Sequence, residues 1–317
     1  LSMIDRQPPR LSVGIISAGA VGLALAEAFT RAGHHVHGIH AHSERSQARA
    51  TQRVPDIPIV SLAEAAMAQL VVLAVPDPVL PEVAAEVART VRDGQMVMHT
   101  SGRNGCQVLQ SITDEGALPL ALHPAMGFVG TQQDTENLLG CGWGVTTDSE
   151  VGQAVGELLV QSLGGVAVHI AEDRRPAYHA AMAHAANHLV TVISDAHSML
   201  NAVLDKPNDP AVIEGEGESS EARLLLNSIV RAGADATLCE HLGALTGPAS
   251  RDDAPAVLAH LEALRQLSEN SADPNSHDLH LRYLPMAERT AQAAGSPEVE
   301  RALMAYRSEH GLPGGLT

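Results

Sequence analysis

The chain has 317 residues, 45% of them hydrophobic and 18% charged, a composition suited to a globular fold with room for two domains. Its 37 acidic and 20 basic side chains give a net charge of −17, which repels a phosphate polyanion and argues against nucleic acid as a partner. No apolar run reaches the roughly 18 residues of a membrane helix, and the segment before the first strand is polar (Arg6-Gln7-Pro8-Pro9-Arg10), so no membrane contact is expected and the cytoplasm is the expected compartment. Cys106, Cys141 and Cys239 are odd in number and lack a C-x-x-C pair, as expected of reduced thiols rather than a disulfide framework or zinc site.

The first 30 residues of regular pattern carry the strongest signal. Residues 11–16 form an apolar strand candidate, Ser17-Ala18-Gly19-Ala20-Val21-Gly22 a glycine-containing turn, the next stretch a helix, and 35–40 a second, parallel strand. That layout sets a dinucleotide pyrophosphate on a helix N-terminus. Ser17, Gly19, Ala20, Val21 and Gly22 are therefore candidate cofactor contacts, with Ser17 occupying the first position of the usual G-x-G-x-x-G. About 20 residues further on, an NAD site carries an acid for the ribose hydroxyls, whereas an NADP site needs polar and cationic groups for the 2′-phosphate. Here the stretch is Ala41-His42-Ser43-Glu44-Arg45-Ser46, and His42, Ser43 and Arg45 favour NADP over NAD. Alternatively, Glu44 and Arg45 are solvated residues at a helix start.

Residues 70–75 form a continuous apolar run, as in a strand covered on both faces, and strands are expected again at 95–99 and 118–122. They end in Val75-Pro76-Asp77, Thr100-Ser101-Gly102 and His123-Pro124. In an open parallel sheet the carboxyl ends line the ligand crevice, which makes Val75, Pro76, Thr100 and Ser101 candidate cofactor residues and Gly102 and His123 candidate substrate residues. Further strands are expected at 143–147 and 166–170. Beyond them the pattern turns helical: one long helix from Pro176 to about Leu204, an acidic loop at 205–221, and helices near 222–234, 254–270, 277–294 and 297–309. The expected fold is thus α/β, a Rossmann-type parallel sheet domain over 1–172 followed by an all-helical domain over 173–317.

Val75-Pro76-Asp77, His99-Thr100-Ser101-Gly102, Leu122-His123-Pro124 with Phe128, Tyr178-His179-Ala180-Ala181 with Asn187, and Leu245-Thr246-Gly247-Pro248-Ala249-Ser250-Arg251 occur in the order that resembles Rossmann-like proteins with a DUF2520 domain. The family is similar in plan to pyrroline-5-carboxylate reductases, ketopantoate reductases and β-hydroxyacid dehydrogenases. The resemblance implies an NAD(P)-binding sheet and a helical domain that often dimerises, without implying a settled reaction. Three positions depart from these relatives. Ser17 replaces the first glycine, Asp252 stands where the family tends to have glycine, and Ala183 stands where relatives acting on 2-oxo or 3-hydroxy acids carry lysine.

Hydride transfer to a carbonyl or imine needs a proton donor and usually a cation for the substrate carboxylate. His179 and Asn187, eight residues apart, lie on nearly one face of a regular helix, with His179 as candidate acid and Asn187 as its orienting partner. A buried, satisfied helix histidine is the competing reading. His123 is a second candidate donor, or else a turn residue. Arg251 is placed to clamp a carboxylate, with Thr246 and Gly247 in the same loop, unless it pairs with a neighbouring acid. His184 and His188 with Asp195 resemble a metal pair but lack a third ligand nearby, so no metal is expected. The resulting expectation is an NADP-dependent reductase of a small carboxylate-bearing carbonyl or imine, a 2-oxo acid such as ketopantoate ahead of a cyclic imine, dimeric through its helical domain. The alternative is a nucleotide-binding sensor without turnover.

Overall fold

The computed structural model describes residues 10–206, 221–270 and 273–314. Most of the acidic loop expected at 205–221 lies outside the described residues. The chain divides into two compact units, Leu1–Ala186 and Asn187–Thr317.

The first unit alternates strands and helices: β1 (Ser12–Ile16), α1 (Ala20–Arg31), β2 (His35–His40), α2 (Glu44–Arg53), β3 (Ile59–Val60), α3 (Leu62–Ala65), β4 (Leu70–Leu73), α4 (Leu80–Ala88), β5 (Met96–His99), α5 (Gln110–Thr113), β6 (Leu118–Pro124), α6 (Gln133–Asn137), β7 (Gly142–Thr147), α7 (Glu150–Ser162), β8 (Val166–His169) and α8 (Arg175–Ala183). The strands form one eight-stranded sheet in the order β3-β2-β1-β4-β5-β6-β7-β8. Period-two alternation sends neighbouring residues of each inner strand to opposite faces. Val13, Ile15, Val72 and Met98 pack in one core cluster, and Ile16, Val71, Leu73 and Val97 in the other. The continuous apolar runs of β1, β4 and β5 follow from this burial on both faces.

Every neighbouring pair is parallel except β6 and β7, which are antiparallel. The connection between those two strands carries only the five-residue α6. The edge strand β3 has two residues, too few to leave a period in the sequence. Serine caps fix several helix starts: the Ser43 and Ser61 hydroxyls accept from the third backbone N–H of α2 and α3 in reciprocal capping boxes, and Ser149 does the same for α7 without the return bond.

The second unit holds α9 (Leu189–Val203), α10 (Glu221–Glu240), α11 (Ala254–Asn270), α12 (Leu279–Ala294) and α13 (Pro297–Glu309). Val257 and Leu261 of α11, Leu284 and Ala291 of α12, and Val299 and Leu303 of α13 form its core. Asp253 caps α11, its carboxylate accepting from Ala256 N–H at 3.2 Å. The family's glycine position is filled by Asp252 at φ 57°, a left-handed conformation. Its carboxylate accepts from the Glu298 and Val299 amides, both at 2.9 Å, so the residue that gives up glycine's freedom gains the cap of α13.

One long helix was expected from Pro176 to Leu204. The chain there is α8, a π-helical turn at His184–His188, and α9. Asn187 lies within this turn and His179 before it, so the 3.6-residue spacing that aligned them does not hold between them. Among the described residues, no helix is long and apolar enough to cross a membrane, and no group of three potential ligands could hold a metal ion.

Candidate active site

β1 leads into the turn through Ser17, whose φ is 99°. A serine pays a steric cost there that glycine avoids. Its N–H donates to His40 O at 3.0 Å, and its Oγ accepts from Gly19 N–H at 3.3 Å. Gly22 is fixed by close approach: a Cβ there would lie 2.0 Å from Ser17 O. At Gly19 the nearest atom to such a Cβ is Ser17 Oγ at 3.5 Å, so this side of the turn is open. No side chain caps α1, leaving the N–H groups of Ala20, Val21 and Gly22 at a helix start without side-chain acceptors. These residues fit a dinucleotide pyrophosphate, which would take the open backbone and the positive end of the helix dipole.

After β2, Ser43 is committed to its capping box, and its Oγ also bonds Ser46 Oγ at 3.1 Å. His42, Glu44 and Arg45 are exposed around the N-terminus of α2. His42, Arg45 and the helix start at Ser43 are thus the groups able to meet a 2′-phosphate, with Glu44 beside them.

At the carboxyl ends of β4, β5 and β6, the structure gathers a histidine-rich cluster within the first unit. His99 is fully buried; its Nε2–H donates to Gly105 O at 2.9 Å and its Nδ1 accepts from Ser101 N–H at 3.1 Å. Burial, partly opposed by the Gly105 bond, pushes its pKa down to about 4. The Ser101 hydroxyl accepts from both the backbone and the side chain of Asn104, so it shapes the 101–104 turn. Thr100 N–H donates to Leu73 O at 3.3 Å. Val75 is half-buried and Pro76 exposed after β4, leading to Asp77, whose carboxylate lies 3.6 Å from Arg103.

Gly102 occupies the meeting point of two histidines. A Cβ there would lie 2.7 Å from His179 Cδ2 and 3.0 Å from His123 Nε2. Only a residue without a side chain leaves both rings where they are. The His123 and His179 rings stand edge to face with centroids 6.4 Å apart, and the Tyr178 hydroxyl lies 2.8 Å from His123 Nδ1. Burial, then the charges of Arg175 and His179, push His123 down to about 4. Burial also raises the Tyr178 phenol.

Behind this cluster lies Arg175, fully buried at the start of α8. Its Nε–H donates to Thr146 Oγ1 at 2.7 Å, and its terminal nitrogens donate to the carbonyls of Ala121 (2.6 Å), Gly144 (3.0 Å), Ser101 (3.4 Å) and Gly102 (3.5 Å). The guanidinium carbon lies 5.7 Å from the Tyr178 ring centroid. Burial lowers the Arg175 pKa. Sequence reading passed over Arg175 because backbone carbonyls leave no residue signature. Tyr178 was legible only as part of a motif, because its role depends on a histidine 55 positions away.

The remaining expected site residues belong to the second unit. Asn187 is exposed in the π-helical turn, its carbonyl accepting from Thr191 at 3.1 Å. Thr246 is exposed, and Gly247 turns at φ 98°. Arg251 is exposed at the end of a short 3-10 turn and forms no ion pair among the described residues. The acid partner that would have made it purely structural is thus not among those residues.

The strand order 3-2-1-4-5-6 with its crossover helices defines the Rossmann class of nucleotide-binding folds. The chain belongs to the family that joins a Rossmann-like domain, matched over residues 2–124, to a domain of unknown function (DUF2520), matched over 141–303. None of the curated proteins matches it. Among solved structures it is similar to a putative NADP oxidoreductase from Bacteroides fragilis, with 18% identity, a TM-score of 0.69 and coverage of 89% of this chain and 98% of the other. A reductive aminase from Aspergillus terreus, solved with NADPH and ethyl levulinate, gives 14%, 0.58, and 94% and 99%. A pyrroline-5-carboxylate reductase from Coxiella burnetii gives 12%, 0.54, and 90% and 99%.

Proposed function

We propose that the chain is an NADP-dependent reductase of a small carboxylate-bearing carbonyl or imine, with a 2-oxo acid such as ketopantoate favoured over a cyclic imine. The observation that carries the reading is the convergence of Gly102, His123, Tyr178 and His179 at the carboxyl edge of β5 and β6, the edge where a sheet of this order takes its ligand. In this reading Ser17, Gly19, Ala20, Val21 and Gly22 hold the pyrophosphate, Val75, Pro76, Thr100 and Ser101 flank the cofactor, and His42, Ser43 and Arg45 meet the 2′-phosphate. When bound, NADPH supplies a hydride. His179 serves as acid, since imidazole can deliver a proton near neutral pH. Asn187 orients the substrate, and Arg251 clamps its carboxylate beside Thr246 and Gly247. The NADP and NADPH named for the Bacteroides and Aspergillus proteins support this cofactor choice.

The helical unit is proposed to form a homodimer. Leu189 and Val190 on α9 and Leu224, Leu225, Ile229 and Leu238 on α10 are all between 47% and 81% exposed, apolar area that a second copy would cover. The cytoplasm fits three cysteines that are all free.

Titration with NADPH and NADH, followed by nicotinamide fluorescence, tests the reading. NADPH-selective binding is expected, and binding of neither would overturn it. Arg45→Ala should weaken NADPH more than NADH; equal weakening would remove the 2′-phosphate assignment. The strained Ser17 backbone and Ala183 in the lysine position favour a second reading, a nucleotide sensor without turnover. His179→Ala separates the two, because an enzyme loses turnover and keeps NADPH affinity whereas a sensor has no turnover to lose.

A further inference from the structure

We infer that His123 is a neutral hydrogen-bond donor, fixed as its Nε2–H tautomer by Tyr178, and that the position beside Gly102 therefore selects a carbonyl or carboxylate oxygen over a protonated imine. The ligand's identity rests on the reductase reading above; the state of the ring does not.

The tautomer follows from counting protons. Tyr178 and His123 Nδ1 are 2.8 Å apart and share one hydrogen bond, which either group can donate. If the phenol donates, only the Nε2–H remains without a partner among the described residues. If Nδ1–H donates instead, the phenol proton and the Nε2 lone pair are both left over. The first arrangement leaves fewer unpaired groups in a half-buried site and is favoured. It directs an N–H at the surface of Gly102, where Nε2 would lie 3.0 Å from an added Cβ.

The surroundings oppose a charged ring. Arg175 and His179 from α8 and His99 from β5 all disfavour an imidazolium at His123, and only Asp77, beyond β4, favours it. Burial acts in the same sense as the three cationic or basic groups and is the largest influence. Asp77 is itself 3.6 Å from Arg103, which divides its attraction.

The chemical consequence is selective. A neutral N–H needs a lone pair to bond, which a ketone, an aldehyde or a carboxylate offers and an iminium nitrogen does not. An iminium would also be a second cation near the buried Arg175, whose hydrogen bonds go to a hydroxyl and backbone carbonyls rather than to a carboxylate. His123 thus polarises the acceptor, and His179 remains the group that gives up a proton.

Nitrogen-15 NMR of histidine-labelled protein, with His123 identified by difference from His123→Gln, reads the ring directly. Between about pH 6 and 8 the wild type should have a protonated Nε2 and a bare Nδ1. Tyr178→Phe should release the ring to a mixture of tautomers. An Nδ1–H tautomer or an imidazolium in the wild type would overturn the inference, whatever the variants do. Calorimetry with NADP+ present then compares oxamate with the permanent cation N-methylpyrrolinium. Oxamate should bind more tightly, and His123→Phe should cost it at least about tenfold while leaving NADPH affinity unchanged. Tighter binding of the cation, or oxamate affinity indifferent to His123→Phe, would sink the selectivity. Failure of the wild type to bind any nicotinamide nucleotide would instead remove the reductase reading, and the NMR result would still decide the ring.

Discussion

Ser17 and Gly22 divide the work of one tight turn. Ser17 bears a φ of 99° for the sake of a weak 3.3 Å bond from Gly19 N–H, so Ser17→Gly should raise the stability measured by denaturant unfolding by about 1 kcal/mol without weakening NADPH. Gly22→Ala should act oppositely, because its Cβ would fall 2.0 Å from Ser17 O. A loss of about 1–3 kcal/mol and of nucleotide binding is expected. His99 and His123 make the fold sensitive to acid. Both rings keep their neutral form down to about 4, whereas unfolded histidine takes up a proton near 6.5. The unfolded chain therefore binds more protons in that window, and stability, full above about 6.5, falls as pH drops toward 4. Unfolding free energies from urea denaturation across that range should decline by a few kcal/mol in total, and His99→Gln should flatten part of the slope.

At the scale of elements, Arg175 ties the start of α8 to β6, β7 and the loop after β5. It bonds the carbonyls of Ala121 on β6 and Gly144 on β7, the Thr146 hydroxyl on β7, and the loop following β5. Removing it takes a buried donor from each of those acceptors, so Arg175→Met should cost about 3–5 kcal/mol by calorimetry. Arg175→Lys should recover little, since one ammonium cannot span that fan of acceptors. Glu172, just before α8, adds a second tie by accepting from the Cys106 and Gln107 amides at 2.7 and 3.2 Å. The Tyr178 and His179 side chains owe their position to these anchors. The π-helical turn that follows breaks the helical phase before Asn187.

For the whole molecule, the two units differ in how they bury apolar surface. The first covers both faces of its inner strands β1, β4 and β5 and leaves aliphatic side chains exposed at the edge, as at Val166 and Val168 of β8, while in the second α9 and α10 leave large aliphatic side chains exposed. Leu225 and Ile229 lie one helical turn apart on α10, with exposures of 58% and 69%. Ile229→Glu should shift sedimentation from dimer to monomer with an unchanged helical circular-dichroism signal. A wild type that sediments as a monomer would remove the dimer proposal.

The sequence by itself determined every strand but β3, the glycine-containing turn after β1 and the change to a helical succession beyond the sheet, because period and glycine placement are local properties. Residues 35–40 and 254–270 were read with the limits they have in the fold, and the histidine at the end of β6 was singled out by its place after an apolar run. Tertiary structure alone decided the antiparallel β7, the two-residue β3, the π-helical turn, and the joining of Arg175 and Tyr178 to the candidate site. Register between distant strands and hydrogen bonds to backbone carbonyls depend on where the chain returns in space, and neither leaves a mark on the identity of the residues that accept them.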